Sequence, residues 1–373
     1  MTPPSVVEIL AELVRINSVN PAYAGGAGEA AICAYVGEFL AAWGIESFEQ
    51  QVLPGRPNRI ARLPGRDRSR RLVLEAHTDT ASAEGMAVPP FEPAIRDGRL
   101  YGRGACDTKA GLAAMMHAAA VLAWRGEQPR AEVWIAATAD EEHSYRGVVK
   151  LCEGLEADGA VVSEPTSMRL VVATKGCLRF RLHARGRAAH SSKPELGVNA
   201  IVRMAGLIQA LERDAAELGR RRHPLVGAPT LNIGLIRGGT QVNMVPEACW
   251  IDVDRRLIPG EQPGNVLRHY KQLAAGMDAG AWIELTLTDE PLEGAAGARV
   301  AAVAGAVLAQ MGLEPTPTGV PYGSDASKLA RAGIPSVVVG PGSIEQAHAA
   351  VEWVDCAELA HAAEFYRRMM LEF

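Results

Sequence analysis

The sequence predicts an α/β protein whose larger domain is interrupted by a smaller α+β domain. Predicted strands and helices alternate before Cys177 and again after Pro291, which is typical of a mixed, mostly parallel sheet flanked by helices. Between these parts the predicted order is β-α-β-β-α-β, the split βαβ arrangement of ferredoxin-like domains. We therefore expect one domain formed by residues 1–177 and 290–373, with an inserted domain at residues 178–289.

Apolar periodicity and helix-end signals define the elements of the first part. Ser5 is placed to cap a first helix, and Gly44 follows a second helix as a C′ glycine. The run Arg71–Ala76 is short and apolar, as expected of a buried strand. The predicted helices are Val6–Ile16, Glu29–Trp43 and Lys109–Trp124, and the predicted strands are Arg71–Ala76, Ala131–Thr138 and Gly159–Ser163.

The pattern changes at Cys177. Cys177–Ala184 alternates like a half-exposed strand, and Asn199–Leu218 has the spacing of an amphipathic helix. Further strands are predicted at Thr230–Arg237, Ala248–Arg255 and Ala281–Thr288, with a helix at Gly264–Met277. After Pro291 the predicted elements are helices Gly297–Met311, Ser327–Ala332 and Cys356–Leu371 and the strand Pro335–Val339.

The composition argues against a nucleic-acid partner. The formal net charge is −5 and aromatic residues make up 5% of the chain, whereas nucleic-acid binders carry basic surfaces and stacking aromatics. The N-terminus lacks the basic and apolar regions of a secretory signal, and the longest nearly apolar stretch, Gly111–Trp124, is shorter than the ~20 residues that span a bilayer. Six scattered cysteines form no CxxC pair, so we expect reduced thiols and a cytoplasmic location.

The motif HTDT at residues 77–80 directly follows the first predicted strand. A neutral imidazole such as that of His77 is a good zinc ligand, and the carboxylate of Asp79 can hold its other ring nitrogen. The alternative is a solvated strand end. Glycines around Asp107 allow a tight turn near a ligand, although Asp107 could instead cap the helix that begins at Lys109.

Other acidic and imidazole groups occupy comparable positions. The acidic triplet at residues 140–142 follows the strand Ala131–Thr138, Glu164 follows Gly159–Ser163, and His348 lies in a Gly-rich loop after Pro335–Val339. For the triplet, an ordinary acidic loop is the alternative. Ligands bind outside the carboxyl ends of strands in open α/β sheets, so we expect these groups to converge. Histidines and carboxylates without thiolates suit Zn, Mn or Co.

Two other patterns do not support a function. Residues 26–31 fit the dinucleotide fingerprint GxGxxA, but that fingerprint requires a preceding strand, and residues 15–25 are predicted to be a helix end and a polar loop. No G-x-S-x-G motif marks a serine nucleophile.

Together these residues resemble the co-catalytic metallohydrolases that include acetylornithine deacetylase, succinyl-diaminopimelate desuccinylase, aminoacylase and carboxypeptidase G. The likeness covers essentially the whole chain. Its motifs are HTDT at 77–80, GRGACDTKAG at 102–111, DEE at 140–142, SEPT at 163–166, GRAAHSS at 186–192, GGTQVNMVP at 238–246, DRRLIPGE at 254–261 and AHAAVEW at 347–353. The resemblance implies a zinc-exopeptidase-like catalytic domain that binds metal, and a lid and dimerisation role for residues 178–289.

The resemblance implies two divalent metal ions, zinc first, with cobalt or manganese as alternatives. Asp107 would bridge the two ions. His77 and Glu164 would complete one site, and Glu142 and His348 would complete the other.

The same resemblance implies roles for residues around the metals. Asp79 would orient His77, and Glu141 would be the general base. His190 would reach the active site of the partner subunit in a homodimer. Asn243 and Arg256 would hold the substrate carboxylate or the developing oxyanion. Lys175 and Arg256 could recognise an anionic group, with a surface charge as the alternative for each. Ser324 could donate to a substrate carbonyl.

The implied activity is a hydrolase of amino-acid metabolism that splits an N-acyl amino acid into a carboxylic acid and a free amino acid. A dipeptidase, a carboxypeptidase or a desuccinylase of the same family is the alternative, and a non-catalytic metal-binding or amino-acid-binding protein is a more remote one. Ala81, Thr108 and Val351 depart from common family patterns. They remove no ligand, but they loosen the assignment of one substrate. Neither nucleic acid nor membrane is expected as a partner.

Overall fold

The computed structural model describes residues 2–294 and 297–373. The chain divides into two compact units. The first unit consists of the residues up to Val172 together with Gly294–Thr318 and Ser324–Phe373, and the second consists of Ala173–Glu293 together with Gly319–Gly323.

The second unit is wider than the predicted range 178–289, because hydrogen bonds tie its ends together. The Thr174 N–H donates to the Leu292 carbonyl at 3.3 Å, and the Lys175 N–H donates to the Val320 carbonyl at 3.1 Å. The chain therefore enters and leaves the second unit through neighbouring backbone.

Up to the second unit, every predicted helix and strand is present, and the structure adds one short helix and five strands. Ser5 caps the first helix through a reciprocal capping box with Glu8. The helices here are α1 (Val6–Arg15), α2 (Ala30–Ala42), α3 (Lys109–Arg125) and α4 (Arg146–Leu151). The strands are β1 (Glu46–Leu53), β2 (Arg56–Leu63), β3 (Asp67–His77), β4 (Ala94–Arg96), β5 (Arg99–Tyr101), β6 (Ala131–Thr138), β7 (Gly159–Val162) and β8 (Val171–Thr174).

The remaining elements complete both units. The second unit contributes β9 (Gly176–Arg185), β10 (Ala189–His190), α5 (Ala200–Leu218), β11 (Thr230–Gly238), β12 (Met244–Val245), β13 (Ala248–Leu257), α6 (Pro263–Met277) and β14 (Trp282–Asp289). The chain then forms α7 (Arg299–Gln310), β15 (Thr318–Val320), α8 (Ala326–Arg331), β16 (Ser336–Val338), β17 (Trp353–Asp355) and α9 (Cys356–Glu372).

The larger sheet is mixed and has the strand order β1-β2-β6-β3-β7-β16-β8-β15. Its central strands β6, β3, β7 and β16 run parallel, whereas β1, β2 and β8 pair antiparallel with their neighbours. The predicted α/β class is confirmed, with the parallel pairs concentrated in the centre of the sheet. Because parallel strands point the same way, the carboxyl ends of these four strands meet at one edge.

Helix α3 packs against the central strand β3, which ends at this edge. It contacts β3, α1 and α9, and it is buried along almost its whole length. A helix enclosed in this way is apolar on every side, which explains its Ala- and Met-rich sequence. The residues that directly precede α3 are therefore held by a rigid element.

The second unit is a four-stranded antiparallel sheet with the order β11-β13-β9-β14. Along the chain its main elements follow the predicted order β-α-β-β-α-β. Helices α5 and α6 cover one face, where Met204 and Tyr270 pack in one core with Phe180 and Ile251. Strand β11 lies at an edge of this sheet.

All six cysteines are free thiols. Among the residues that the structure describes, no helix has both the length and the apolar character required to cross a membrane.

Candidate metal centre

Two groups of ligand-type side chains converge where the central strands end. The groups are His77, Asp107 and Glu164, and Asp107, Glu142 and His348. Within each group, one ligand atom from every residue lies within 4.8 Å of the others. The structure thus brings together all five residues that the resemblance implied as ligands, and Asp107 belongs to both groups.

The strand ends place these side chains. His77 is the last residue of β3, and it pairs with Thr138, the last residue of β6. Glu164 lies just beyond β7, and the loops after β6 and β16 carry Glu142 and His348. The acidic triplet is therefore not an ordinary solvated loop, since Asp140 is buried and Glu142 lies 3.0 Å from His348 Nε2.

Asp107 does not cap helix α3. The N-cap residue is Thr108, whose side chain makes no capping hydrogen bond. The Asp107 carboxylate instead lies 3.0 Å from His77 Nε2 and 3.4 Å from His348 Nε2. The helix-cap alternative for Asp107 is therefore wrong.

The centre has a strong preference for positive charge. Hydrogen bonds with Asp107 and Glu142 raise the pKa of His348 to about 10, and its Nε2 lies 3.0 Å from the Glu142 carboxylate. Burial alone would lower the pKa of His77, but Asp107 and the other surrounding carboxylates raise it well above its usual value. Such an electronegative, largely buried site favours a bound cation.

One buried carboxylate oxygen at the centre has no partner. Glu164 is 5% exposed, and its Oε1 accepts no hydrogen bond from any described residue. Burial, and then the neighbouring Asp107, raise the pKa of Glu164 well above its usual value. Because an unpaired buried charge is costly, this oxygen and the N/O donor set fit divalent metal ions.

Asp79 acts differently from the expectation. The partner of His77 Nδ1 is the backbone carbonyl of Asp79, at 2.9 Å, whereas the nearest Asp79 carboxylate oxygen is 3.8 Å away. The predicted carboxylate–imidazole bond is therefore wrong. With Nδ1–H donating to that carbonyl, Nε2 of His77 presents its lone pair to the centre.

The Asp79 carboxylate instead holds the acidic turn, which is the turn formed by the acidic triplet at residues 140–142. It accepts hydrogen bonds from the backbone N–H groups of Glu141 at 3.0 Å and Glu142 at 3.1 Å. Burial raises the pKa of Asp79 to about 7. A change at Asp79 would therefore act first on the turn that carries these two glutamates.

The Glu141 side chain reaches the centre from this turn. Its Oε2 lies 4.0 Å from His77 Nε2, and its side chain is 13% exposed. Burial raises the pKa of Glu141 well above its usual value. A carboxyl group in this position can exchange a proton with a molecule bound at the centre.

Sequence reasoning did not assign a role to Glu352, which is wholly buried. Its carboxylate accepts from the backbone N–H groups of Gly104, Cys106 and Asp107 at 3.1, 2.9 and 3.0 Å. It also accepts from Arg103 Nη1 at 2.7 Å. Glu352 therefore holds the loop that presents Asp107. In the sequence, the signal for Glu352 was its place as the acidic residue of the motif AHAAVEW at 347–353.

Two predicted site residues of the second unit lie side by side. His190 is in β10, which pairs with β12 so that His190 faces Met244, the residue after Asn243. The Asn243 carbonyl accepts from the Ser191 N–H at 3.0 Å. His190 is exposed, and its Nδ1 lies 2.8 Å from Ser192 Oγ. That contact occupies Nδ1, the other ring nitrogen being Nε2.

The other predicted binding residues are more constrained. Arg256 Nε donates to Asp254 at 2.8 Å. Lys175 is 7% exposed and donates to the Ala228 carbonyl at 2.5 Å, so it is not the surface charge that was the alternative. Ser324 is wholly buried, and its Oγ has no partner among the described residues.

Comparisons with known proteins place the chain in a family. The model of peptidase family M20/M25/M40 matches residues 73–372.

The chain belongs to this family.

Relatives of this family member include acetylornithine deacetylases. One from Myxococcus xanthus is 33% identical over 312 residues, which cover 81% of this chain and 80% of the relative. One from Vibrio vulnificus is 28% identical, with 92% of each chain covered. The family and these relatives identify the protein as a metal-dependent amidohydrolase.

Solved structures agree in fold. Aminopeptidase PepT from Bacillus cereus superimposes with a TM-score of 0.81 at 27% identity, covering 98% of this chain and 97% of that one. A tripeptidase from Staphylococcus aureus gives a TM-score of 0.83 at 25% identity, covering 98% and 96%. A metallo-carboxypeptidase from Sulfolobus solfataricus, at 20% identity and a TM-score of 0.80, covers 98% of each chain and shares the fold.

Proposed function

We propose that this M20-family protein is a deacylase that hydrolyses a small N-acyl amino acid. The observation that carries the proposal is the pair of ligand groups that share Asp107, with Glu141 beside them. The acetylornithine deacetylase from Myxococcus xanthus, at 33% identity over 81% of this chain, supports an acyl amino acid as the substrate.

Two divalent metal ions would occupy the centre, held by the five residues of the two ligand groups. Their imidazole and carboxylate donors suit zinc first and cobalt or manganese next. Together the ions would polarise the amide carbonyl and make water acidic enough to be deprotonated near neutral pH. The orphaned Glu164 Oε1 supports the first of the two sites.

Glu141 would be the general base and then the general acid. Its carboxylate would take a proton from the attacking water and hold it at Oε1 or Oε2. It would then deliver this proton to the nitrogen of the departing amine, leaving a carboxylic acid and a free amino acid. Burial raises the pKa of Glu141. The carboxyl group would therefore retain the proton of water until it is delivered to the amine.

His190, Asn243 and Arg256 would recognise the substrate from the second unit. An exposed His190 Nε2 is suited to donate where negative charge develops on the carbonyl oxygen. Arg256 is suited to bind the substrate carboxylate, since a guanidinium offers paired donors to it. Burial, and then the positive charge of Arg256, lower the pKa of Lys175. An anionic substrate group bound near the two cations would offset their repulsion.

The second unit would act as a lid and would form a homodimer through which His190 serves the partner subunit. The exposed apolar side chains Leu235 and Ile236 on edge strand β11, with Ile201 and Val202 on α5, support such an interface. An unpaired edge strand is a ready site for pairing with a second copy. The six free cysteines support a reducing, cytoplasmic setting.

A peptidase is the second candidate, because two peptidase structures reach 25–27% identity over 98% of this chain. The experiment is a substrate panel on metal-reconstituted protein: N-acetylornithine, other N-acetyl amino acids, succinyl-diaminopimelate, dipeptides and tripeptides. Preferred turnover of an N-acetyl amino acid supports the deacylase. Preferred turnover of a peptide supports the second candidate.

Glu141→Gln is the matched control for the panel. The variant should bind metal as the wild type does but lose most turnover, because the amide cannot accept the proton of water. Full turnover by Glu141→Gln, or full turnover after exhaustive chelation, would refute the proposed mechanism.

A further inference from the structure

A buried polar network lies behind the acidic turn and takes no part in the proposed chemistry. Its members are Asn20, Glu29, Arg56, Asp79 and Asp140. All of them except Arg56 are wholly buried, and the Arg56 side chain is 13% exposed. Three carboxylates thus share a buried region with the guanidinium of Arg56. Buried carboxylates need such compensation.

Arg56 contacts two of the three carboxylates. Its Nε and Nη2 donate to the two oxygens of Glu29 at 2.7 and 2.6 Å, and Nη2 also donates to Asp140 Oδ1 at 2.9 Å. Glu29 in turn accepts from the backbone N–H of Asp140 at 3.2 Å. Both the side chain and the backbone of Asp140 are therefore tied to the Arg56–Glu29 pair. The nearest other cation, Arg146, lies 3.4 Å from Asp140 Oδ2 and is 47% exposed.

Asn20 carries the connection to the acidic turn. Its Nδ2 donates to Asp140 Oδ1 at 3.0 Å and to Asp79 Oδ2 at 2.8 Å. The Asp79 carboxylate receives the N–H groups of Glu141 and Glu142. A continuous chain of hydrogen bonds therefore runs from Arg56 to both glutamates.

The backbone of the turn requires such support. Asp140 has a φ of +69°, a left-handed conformation that a residue with a side chain adopts at a cost. Asp140 holds this conformation while its carboxylate is buried against Arg56. Loss of the Arg56 guanidinium would leave the buried Asp140 carboxylate without its positive partner at a residue whose backbone is already strained. We propose that Arg56 is a positioning residue for Glu141 and Glu142.

The chemistry of the contact explains why arginine occupies this position. A planar guanidinium can bind both oxygens of one carboxylate and still reach a second carboxylate. A lysine ammonium is a point charge on a flexible stem and cannot reproduce this fork. Lysine should therefore preserve the charge but only part of the geometry.

The test compares Arg56→Met and Arg56→Lys with Arg59→Met. Arg59 lies on the same strand, where it donates to the Cys33 carbonyl at 3.1 Å and to Glu49 at 2.6 Å. It thus controls for the loss of an arginine that pairs with a glutamate and contacts α2. Circular dichroism first establishes which variants are folded, and Arg56→Lys replaces Arg56→Met if the latter is not.

The first measurement is hydrogen exchange of residues 139–145 in metal-free protein. The Arg56 variant should exchange about 10-fold faster or more in this segment, while Arg59→Met should match the wild type. Equal exchange in Arg56→Met and the wild type would overturn the positioning role. This readout needs neither metal nor substrate, so it stands even if the proposed deacylase activity fails.

The second measurement rests on the proposed function. In metal-loaded protein, Arg56→Met should lower kcat roughly 10–100-fold with KM changed less than about 3-fold, because the substrate contacts are untouched. Arg56→Lys should recover part of kcat, and added guanidinium ion should recover part of it in Arg56→Met. An unchanged kcat, or an equal loss in Arg59→Met, would overturn the inference.

Discussion

Glu352→Gln should lower the free energy of unfolding by about 3–5 kcal/mol. The carboxylate of Glu352 serves two donors with each oxygen: Oε1 accepts from the N–H groups of Cys106 and Asp107, and Oε2 accepts from Gly104 and Arg103. A glutamine has one carbonyl oxygen, so its NH₂ group must face two of these four donors. Each buried donor left without a partner costs ~1–3 kcal/mol, and loss of a partner from a buried ion pair costs about 3–5 kcal/mol.

The assay is urea unfolding of metal-free protein, so that cation binding does not contribute. The matched control is Glu345→Gln, at an exposed position of the loop between β16 and β17; its effect should stay within about 0.5 kcal/mol. The metal content of Glu352→Gln should also fall, since the loop that presents Asp107 loses its anchor.

A difference below about 1 kcal/mol between Glu352→Gln and the wild type would refute the reasoning. It would mean that the N–H groups of the loop find other acceptors, for example water, when the carboxylate is replaced. The same conclusion would follow if Glu345→Gln proved equally destabilising.

Three further predictions address the metal centre and two perturbed pKa values. Asp107→Asn should lose both metal ions, because both ligand groups contain this residue, whereas His348→Ala should lose one. Metal analysis after dialysis measures the stoichiometry, and equal stoichiometry in the two variants would contradict the prediction. Two neighbouring arginines lower the pKa of Glu364 to about 2, so its contribution to stability is present above about pH 4.5 and is lost as pH falls towards 2. Because Glu364 is partly exposed, Glu364→Gln should cost only about 0.5 kcal/mol at pH 7 and nothing at pH 2, as acid unfolding curves would show. Burial lowers the pKa of Lys109 to about 7. Between pH 7 and about 10.5 the unfolded chain therefore binds one more proton than the folded chain, and this group makes the free energy of unfolding rise with pH. Lys109→Met should remove that rise in the urea midpoints, and an unchanged pH slope would exclude the assignment.

The convergence of the candidate ligands was predictable because their positions obey a local rule. His77, Glu164 and the acidic triplet each directly follow an apolar strand, and strand ends of a parallel sheet converge whatever the details of the fold. A single sequence therefore contained enough information to group them. The helix-cap alternative for Asp107 remained open in the sequence, because its two histidine partners lie far away along the chain.

Other parts of the molecule left no such pattern. The β1–β2 hairpin was missed because Glu46–Leu53 is largely polar and has no buried residue, so no apolar alternation marks it. The partners of Glu352 are backbone N–H groups some 245 residues earlier, and any loop offers such groups. For Asp79, the sequence predicted the correct pair of residues but the wrong atom, since a backbone carbonyl is present at every position and only the turn geometry selects it.

The adjacency of Thr174 and Leu292 bears on how this protein can change. All five proposed ligands belong to the first unit, at positions set by one sheet, while the second unit is entered and left through neighbouring backbone. A segment bounded in this way can be lengthened, replaced or remodelled without shifting the strand ends outside it. Under the proposed roles of His190, Asn243 and Arg256, selection could thus change what the protein recognises while the ligand positions stay constant, and a chimaera that exchanges Ala173–Glu293 would test this.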